Sequence, residues 1–125
     1  MNYAKHHITQ DDKDAVMRVL DSDHLTQGPV VEEFEEAFAA KVGKKYAVAF
    51  NSGTSALVAA FHCWHPSTVI TTPLTFVATA NAARAAGHDV EFVDINPTTL
   101  VMGVPNNNKT LWAPMEYAGH PATRS

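Results

Sequence analysis

The run Asn51-Ser52-Gly53-Thr54-Ser55-Ala56 stands directly after a short apolar segment, Tyr46 to Phe50, and directly before a second apolar segment of helical character. At a strand-to-helix junction the first amides of the helix have no intrahelical acceptor and lie at the positive end of its dipole. With hydroxyls from Thr54 and Ser55 and a glycine that allows close approach, the chemistry such a turn suits is binding of a phosphate dianion. The same residues also read as an ordinary capped helix start, and they contain neither GxGxxG nor GxxxxGK[ST]. On these residues alone both readings stand.

A second segment, Thr71-Thr72-Pro73-Leu74-Thr75-Phe76, leaves a strand through a proline and delivers an aromatic ring ahead of the next helix. In an open α/β sheet both turns lie beyond the carboxyl ends of the strands. Phe76 is therefore expected on the same rim as Gly53 and Thr54, where a planar ring carrying a phosphate would be stacked by one and anchored by the other. By spacing alone Phe76 reads equally as plain core. His62, Cys63 and His65 invite a metal reading, but three nearby ligands without a fourth describe a helix end better than a zinc site. His6, His7, His24, His88 and His120 show no repeated ligand spacing, and most of them are expected at the surface.

The elements that must position these residues are legible from periodicity. Thr9 followed by Gln10-Asp11-Asp12 and then Ala15, Val16, Val19 and Leu20 predicts a capped amphipathic helix ending near Asp21 to His24. Gln27-Gly28-Pro29 opens a second helix through Val30, Phe34, Ala37, Phe38 and Val42, with Gly43 as its stop. Tyr46 to Phe50 reads as a buried strand. Beyond it come a helical segment from Ser55 to Cys63, a strand from Thr68 to Thr72, an alanine-rich helix from Phe76 to Ala86 and a strand from Val90 to Val93. Past Asp94 the chain turns to Asn96-Pro97, an asparagine-rich loop and one more strand, Thr110 to Ala113. Alternating strands and helices predict a mostly parallel sheet with flanking helices, a three-layer α/β fold, and no linker divides residues 1–125 into separate domains.

Composition narrows the class. The chain has 125 residues, 46% hydrophobic and 18% charged, with a formal net charge of -4 and no block of like charge, which disfavours nucleic acid and anionic membrane as partners. Apolar stretches fall well short of the roughly 20 residues a membrane helix needs, and a cytoplasmic location is the default expectation. Cys63 is the one cysteine, so an internal disulfide is excluded.

Taken together, "LTQGPVVEEFEEAFAAKVG", "YAVAFNSGTSAL", "VITTPLTFVATANAARAAG", "VEFVDINPTTL" and "APMEYAGHPA" resemble, in order, the DegT/DnrJ/StrS aminotransferases. That family uses pyridoxal phosphate to aminate nucleotide-linked keto sugars. The resemblance implies that the fold is a truncated version of the fold type I aminotransferase large domain. It implies that Gly53, Thr54 and Ser55 hold the cofactor phosphate and that Phe76 stacks on the pyridine ring. By the same resemblance the Thr26 to Pro29 region lies near a sugar-nucleotide pocket at a dimer interface, the chain is expected as a homo-oligomer or in association with another chain, and an amino acid, glutamate, is the amino donor in intact relatives.

The match also has gaps. The family's cofactor-binding lysine and the acid that pairs with the pyridine nitrogen lie downstream of the matched region, and none of Lys5, Lys13, Lys41, Lys44, Lys45 and Lys109 stands in the family's serine-led lysine motif. No catalytic residue is therefore assigned. His62 to Ser67 replaces a glycine-rich turn, a helix usual between Leu100 and Lys109 is missing, and Glu116 and Thr123 depart from the family pattern. In the family the first strand is separated from the next three by strands this chain lacks. Tyr46 to Phe50 is thus expected either to pair with Thr110 to Ala113 or to leave a gap that another chain fills. Three functions follow: an aminotransferase-like protein that is catalytically incomplete as this chain, a non-enzymatic module that associates with itself or a partner, and a phosphate-ligand binding module.

Overall fold

The computed structural model describes residues 5–103, 110–119 and 121, and it forms two compact units, Met1–Ala49 and Phe50–Ser125.

The first unit is helical. Helix α1, Gln10–Leu20, starts at the expected cap: the Thr9 hydroxyl accepts from the Asp12 amide at 3.3 Å, and the Asp12 carboxylate accepts from the Thr9 amide at 2.7 Å. This reciprocal box satisfies two amides that the helix itself cannot. The hydrogen bonds from the Thr9 backbone and then its hydroxyl hold the Asp12 carboxyl below its ordinary pKa. Helix α2, Pro29–Lys41, starts with proline at its first turn and is followed by Gly43 at φ 65°, the left-handed stop expected of it. The Phe34 and Phe38 rings lie 5.9 Å apart on one face. Burial here is slight: α1 has no buried residue and α2 has Ala39 alone.

Tyr46 to Phe50 departs from expectation, since among the described residues it joins no sheet. A strand exists only through a neighbour's hydrogen bonds, and Tyr46 to Phe50 has no ladder partner among the described residues. The Ala49 amide instead donates to the Glu35 carboxylate at 2.6 Å. Tyr46 and Val48 are 74% and 69% exposed. Neither pairing with Thr110 to Ala113 nor burial as a core strand is observed.

The second unit carries the sheet. Helix α3, Gly53–His62, leads to strand β1, Thr68–Thr71; helix α4, Ala78–Ala85, leads to β2, Asp89–Phe92; and β3, Leu111–Trp112, completes the order β2-β1-β3. Both pairings are parallel, with Val69 opposite Val90 and Leu111. The α/β class expected from the alternation is the one observed. Helix α4 starts at Ala78 rather than Phe76, because the Phe76 carbonyl already accepts the Thr79 amide at 3.0 Å as the chain turns into the helix.

Phe61, Val69, Ala82 and Ala83 form the core, with Leu57, Val58, Val90 and Leu111 packed against it. The alanines of α4 present no bulk, so α3 and the sheet close over that helix directly. Val69, Ile70, Thr71 and Thr72 are all buried, which fits a strand flanked on both sides. Thr71 is tolerated there because its hydroxyl donates to the Ala113 carbonyl at 2.9 Å.

Two features went unread in the sequence. Ile95 and Met102 form an antiparallel bridge that buries Met102, turning through Asn96, whose side-chain oxygen accepts from the Thr98 and Thr99 amides. His88, given no role by its spacing, is 3% exposed. Its Nδ1 accepts the Ser67 amide at 3.1 Å, so the other nitrogen carries the proton and donates to the Phe61 carbonyl at 2.9 Å. A neutral imidazole thus ties the end of α3 to the start of β1.

Candidate functional site

The turn from Asn51 to Ser55 forms where the sequence places it. Ser52 is the N-cap of α3, its hydroxyl oxygen accepting the Ser55 amide at 3.1 Å. The Ser55 hydroxyl donates to the Asn51 side-chain oxygen at 2.8 Å and lies 3.0 Å from the Ser52 hydroxyl. Ser55 has already given its proton to Asn51, so the Ser52 hydroxyl is the donor between the two. The cap is a closed ring of Asn51, Ser52 and Ser55.

That ring divides the expected anchor residues. Ser55 is committed to the cap through both its amide and its hydroxyl, which supports the capping reading for this residue. The amides of Gly53 and Thr54, the first two of the helix, meet no acceptor among the described residues, and both residues are exposed. A Cβ built on Gly53 would meet nothing within 4 Å, so no neighbouring group of the chain requires glycine here. Two unpaired amides, the Thr54 hydroxyl and open space before a helix N-terminus suit an oxyanion.

Phe76 sits in the turn between β1 and α4 and is 73% exposed, which rules out the plain-core reading. The chain orders this turn through buried Thr72, whose hydroxyl accepts the Leu74 amide at 3.2 Å. Phe76 thus precedes α4 and the Gly53-Thr54 amides open the first turn of α3, two helices packed against each other in the same unit. An exposed ring face is what a planar heterocycle needs for stacking.

No lysine of the second unit lies among the described residues. In the second unit the sequence has no lysine other than Lys109, which lies outside the described residues, as do His120 and Thr123. Lys5, Lys13, Lys41, Lys44 and Lys45 belong to the first unit and are exposed; Lys45 rests its ammonium 4.9 Å from the Tyr46 ring centroid.

The histidine and cysteine cluster resolves into a helix end. The His62 ring Nδ1 lies 2.8 Å from the Val58 carbonyl, and the Cys63 thiol bonds back to the Ala59 carbonyl at 3.4 Å. Among the described residues no three His, Cys, Asp or Glu side chains converge as metal ligands. In the first unit, Gln27 and Gly28 line an apolar pocket of about 340 Å³ with Leu25, Val31 and Phe34. A Cβ on Gly28 would fall 2.7 Å from that of His24, so glycine is set there by packing. Apart from His24 no lining side chain of that pocket is basic, so it offers little to a nucleotide diphosphate. No described helix is long and apolar enough to cross a membrane.

Comparison with known proteins places the chain in a family. Residues 6–109 match the model of the DegT/DnrJ/EryC1/StrS aminotransferase family. The chain is 47% identical over 97 residues to a UDP-4-amino-4,6-dideoxy-N-acetyl-beta-L-altrosamine transaminase of Campylobacter jejuni, a match covering 76% of this chain and 26% of that protein. It is 43% identical over 96 residues to the spore coat polysaccharide biosynthesis protein SpsC of Bacillus subtilis, covering 74% and 25%. Among solved structures, Helicobacter pylori PseC, an aminotransferase involved in the biosynthesis of pseudoaminic acid, superposes with a TM-score of 0.85 at 32% identity, over 97% of this chain and 35% of that one. An aminotransferase from Psychrobacter cryohalolentis gives 0.77 at 30% identity, over 93% and 32%. The chain spans about a quarter of the length of the curated relatives it matches. With its ordered motifs, its parallel sheet and the family match over residues 6–109, the chain belongs to the DegT/DnrJ/EryC1/StrS aminotransferase family.

Proposed function

We propose that this chain holds pyridoxal phosphate reversibly, as an aminotransferase-like protein of the nucleotide-sugar type that does not complete the transamination by itself. The observation that carries the proposal is the pair of unpartnered amides of Gly53 and Thr54 at the start of α3, with an exposed Phe76 before α4. When bound, the cofactor supplies an electron sink for moving an amino group between a donor amino acid and a keto sugar. The amides and the Thr54 hydroxyl bind the phosphate, Phe76 covers one ring face, and Ser55 acts indirectly by keeping the helix start closed. Structural relatives are described with bound hydrated PLP and with bound cofactor PMP, which supports the choice of ligand. The phosphate reading alone would be met by many anions; the exposed aromatic ring favours one carrying a planar heterocycle.

A partner that carries the lysine and the acid supplies the remaining groups in this reading, since a second copy has the same sequence and brings no further lysine motif. In α1 the side chains of Val16, Met17 and Leu20 are all more than half exposed, an apolar surface expected to be covered in an assembly. A nucleotide-linked sugar and an amino-acid donor are the substrates proposed for that completed assembly.

The test is a titration with pyridoxal phosphate followed by borohydride reduction and intact-mass measurement. The expected outcome is weak, saturable binding without a single preferred lysine adduct, with Thr54→Ala and Phe76→Ala each weakening it about fivefold. Stoichiometric capture by one lysine would show that the chain retains a complete cofactor site. Equal binding of inorganic phosphate and pyridoxal phosphate would favour a plain phosphate module, and no binding would leave the partner-binding role.

A further inference from the structure

A second cavity, of about 400 Å³, lies between the later turns of α3, the entry into α4 and the segment from β3 to Met115. Leu57, Phe61, Trp64 and Trp112 give it apolar walls, Thr75 and Thr79 supply hydroxyls, and none of its lining residues is ionisable. Gly53, Thr54, Ser55 and Phe76 do not line it, so it is separate from the phosphate-type turn.

The hydroxyl pair sets what the cavity can recognise. Thr75 donates to the Met115 sulfur at 3.7 Å and lies 3.2 Å from the Thr79 hydroxyl. Each hydroxyl has one proton. With that of Thr75 given to sulfur, Thr79 donates to Thr75, and what remains on both oxygens is lone pairs. The cavity can accept a hydrogen bond but not give one from these groups. A charged guest would lose its hydration against walls that return no counter-charge. The volume lies near the lower end of the range of about 300 to 1,000 Å³ found for small-molecule sites.

We propose that this cavity binds a small neutral aromatic molecule carrying one O–H or N–H donor, of the phenol or aryl-amine class, with its donor on the Thr79 hydroxyl oxygen and its ring between the apolar walls.

The experiment is a calorimetric titration of the full chain with 2-naphthol at neutral pH, where it is uncharged, against 2-methoxynaphthalene, which lacks the donor. The expected result is saturable one-to-one binding, with 2-naphthol held about fivefold more tightly. Thr79→Val removes the preference without weakening the ether, and Thr79→Ser, which keeps the hydroxyl, retains it. Non-saturating partition into the protein, equal affinities for the two probes, or a preference that survives in Thr79→Val would overturn the assignment. Because pyridoxal phosphate binding is read separately, failure here leaves the proposed cofactor role untouched.

Discussion

At the scale of single residues, Gly53 separates a folding role from a binding role. Its Cβ position is open, and alanine is the better helix former by up to about 1 kcal/mol, so Gly53→Ala should leave stability unchanged or slightly raised in a urea melt. The same methyl group would stand where an anion approaches the Gly53 and Thr54 amides, so pyridoxal phosphate affinity should drop in parallel titrations. His88 gives the opposite case. Replacing it with alanine removes a buried ring and strands the Phe61 carbonyl and the Ser67 amide, and a loss of about 2–4 kcal/mol is expected in denaturant unfolding. The anchor turn was legible in the sequence because its signals are local: a cap residue, a glycine and hydroxyls within six positions. His88 was not, because its partners lie 21 and 27 residues away and no spacing rule connects them.

Among the elements, α1 is the one whose stability rests most visibly on its cap, since no residue in it is buried. A peptide covering residues 5–24 should lose helix content by circular dichroism when Thr9 becomes alanine. The pH dependence follows from the Asp12 carboxyl, whose pKa is held below its unfolded value by the Thr9 bonds. A group depressed in this way contributes stability above its unfolded pKa and loses it as pH falls through the folded one. Helix content should therefore fall on acidification below about pH 4, and the Asp12→Asn peptide should lack that component of the fall. Periodicity also anticipated α2, α3, α4 and the three paired strands to within a few residues. The failure at Tyr46 to Phe50 has a plain cause. An apolar run tells that a segment can be a strand, whereas a ladder requires a neighbour, and here Glu35 holds the Ala49 amide.

For the molecule as a whole, the exposed apolar side chains Val16, Met17 and Leu20 of α1 and Tyr46 and Val48 beyond α2 point to association. Sedimentation velocity should show a larger species growing with protein concentration, and Met17→Lys with Leu20→Lys should shift it toward monomer while the far-ultraviolet spectrum stays the same. A monomer at all concentrations would count against assembly with a second copy. The family relation was legible because several motifs recur in one order, a signal that survives although the chain spans about a quarter of its relatives' length.

Taken by itself, the amino-acid sequence determined the elements, their parallel α/β arrangement, the capped turn at Ser52 to Ser55 and the family. These depend on periodicity, capping chemistry and motif order, which are properties of neighbouring residues. Only the tertiary structure decided that Phe76 is exposed, that Ser55 serves the cap while Gly53 and Thr54 keep open amides, that His88 is a buried clamp, and that the Thr75–Thr79 pair borders an apolar cavity. Burial and hydrogen-bond partnership across long sequence separations are set by how helices close on the sheet, and that packing is not encoded in the order of nearby residues.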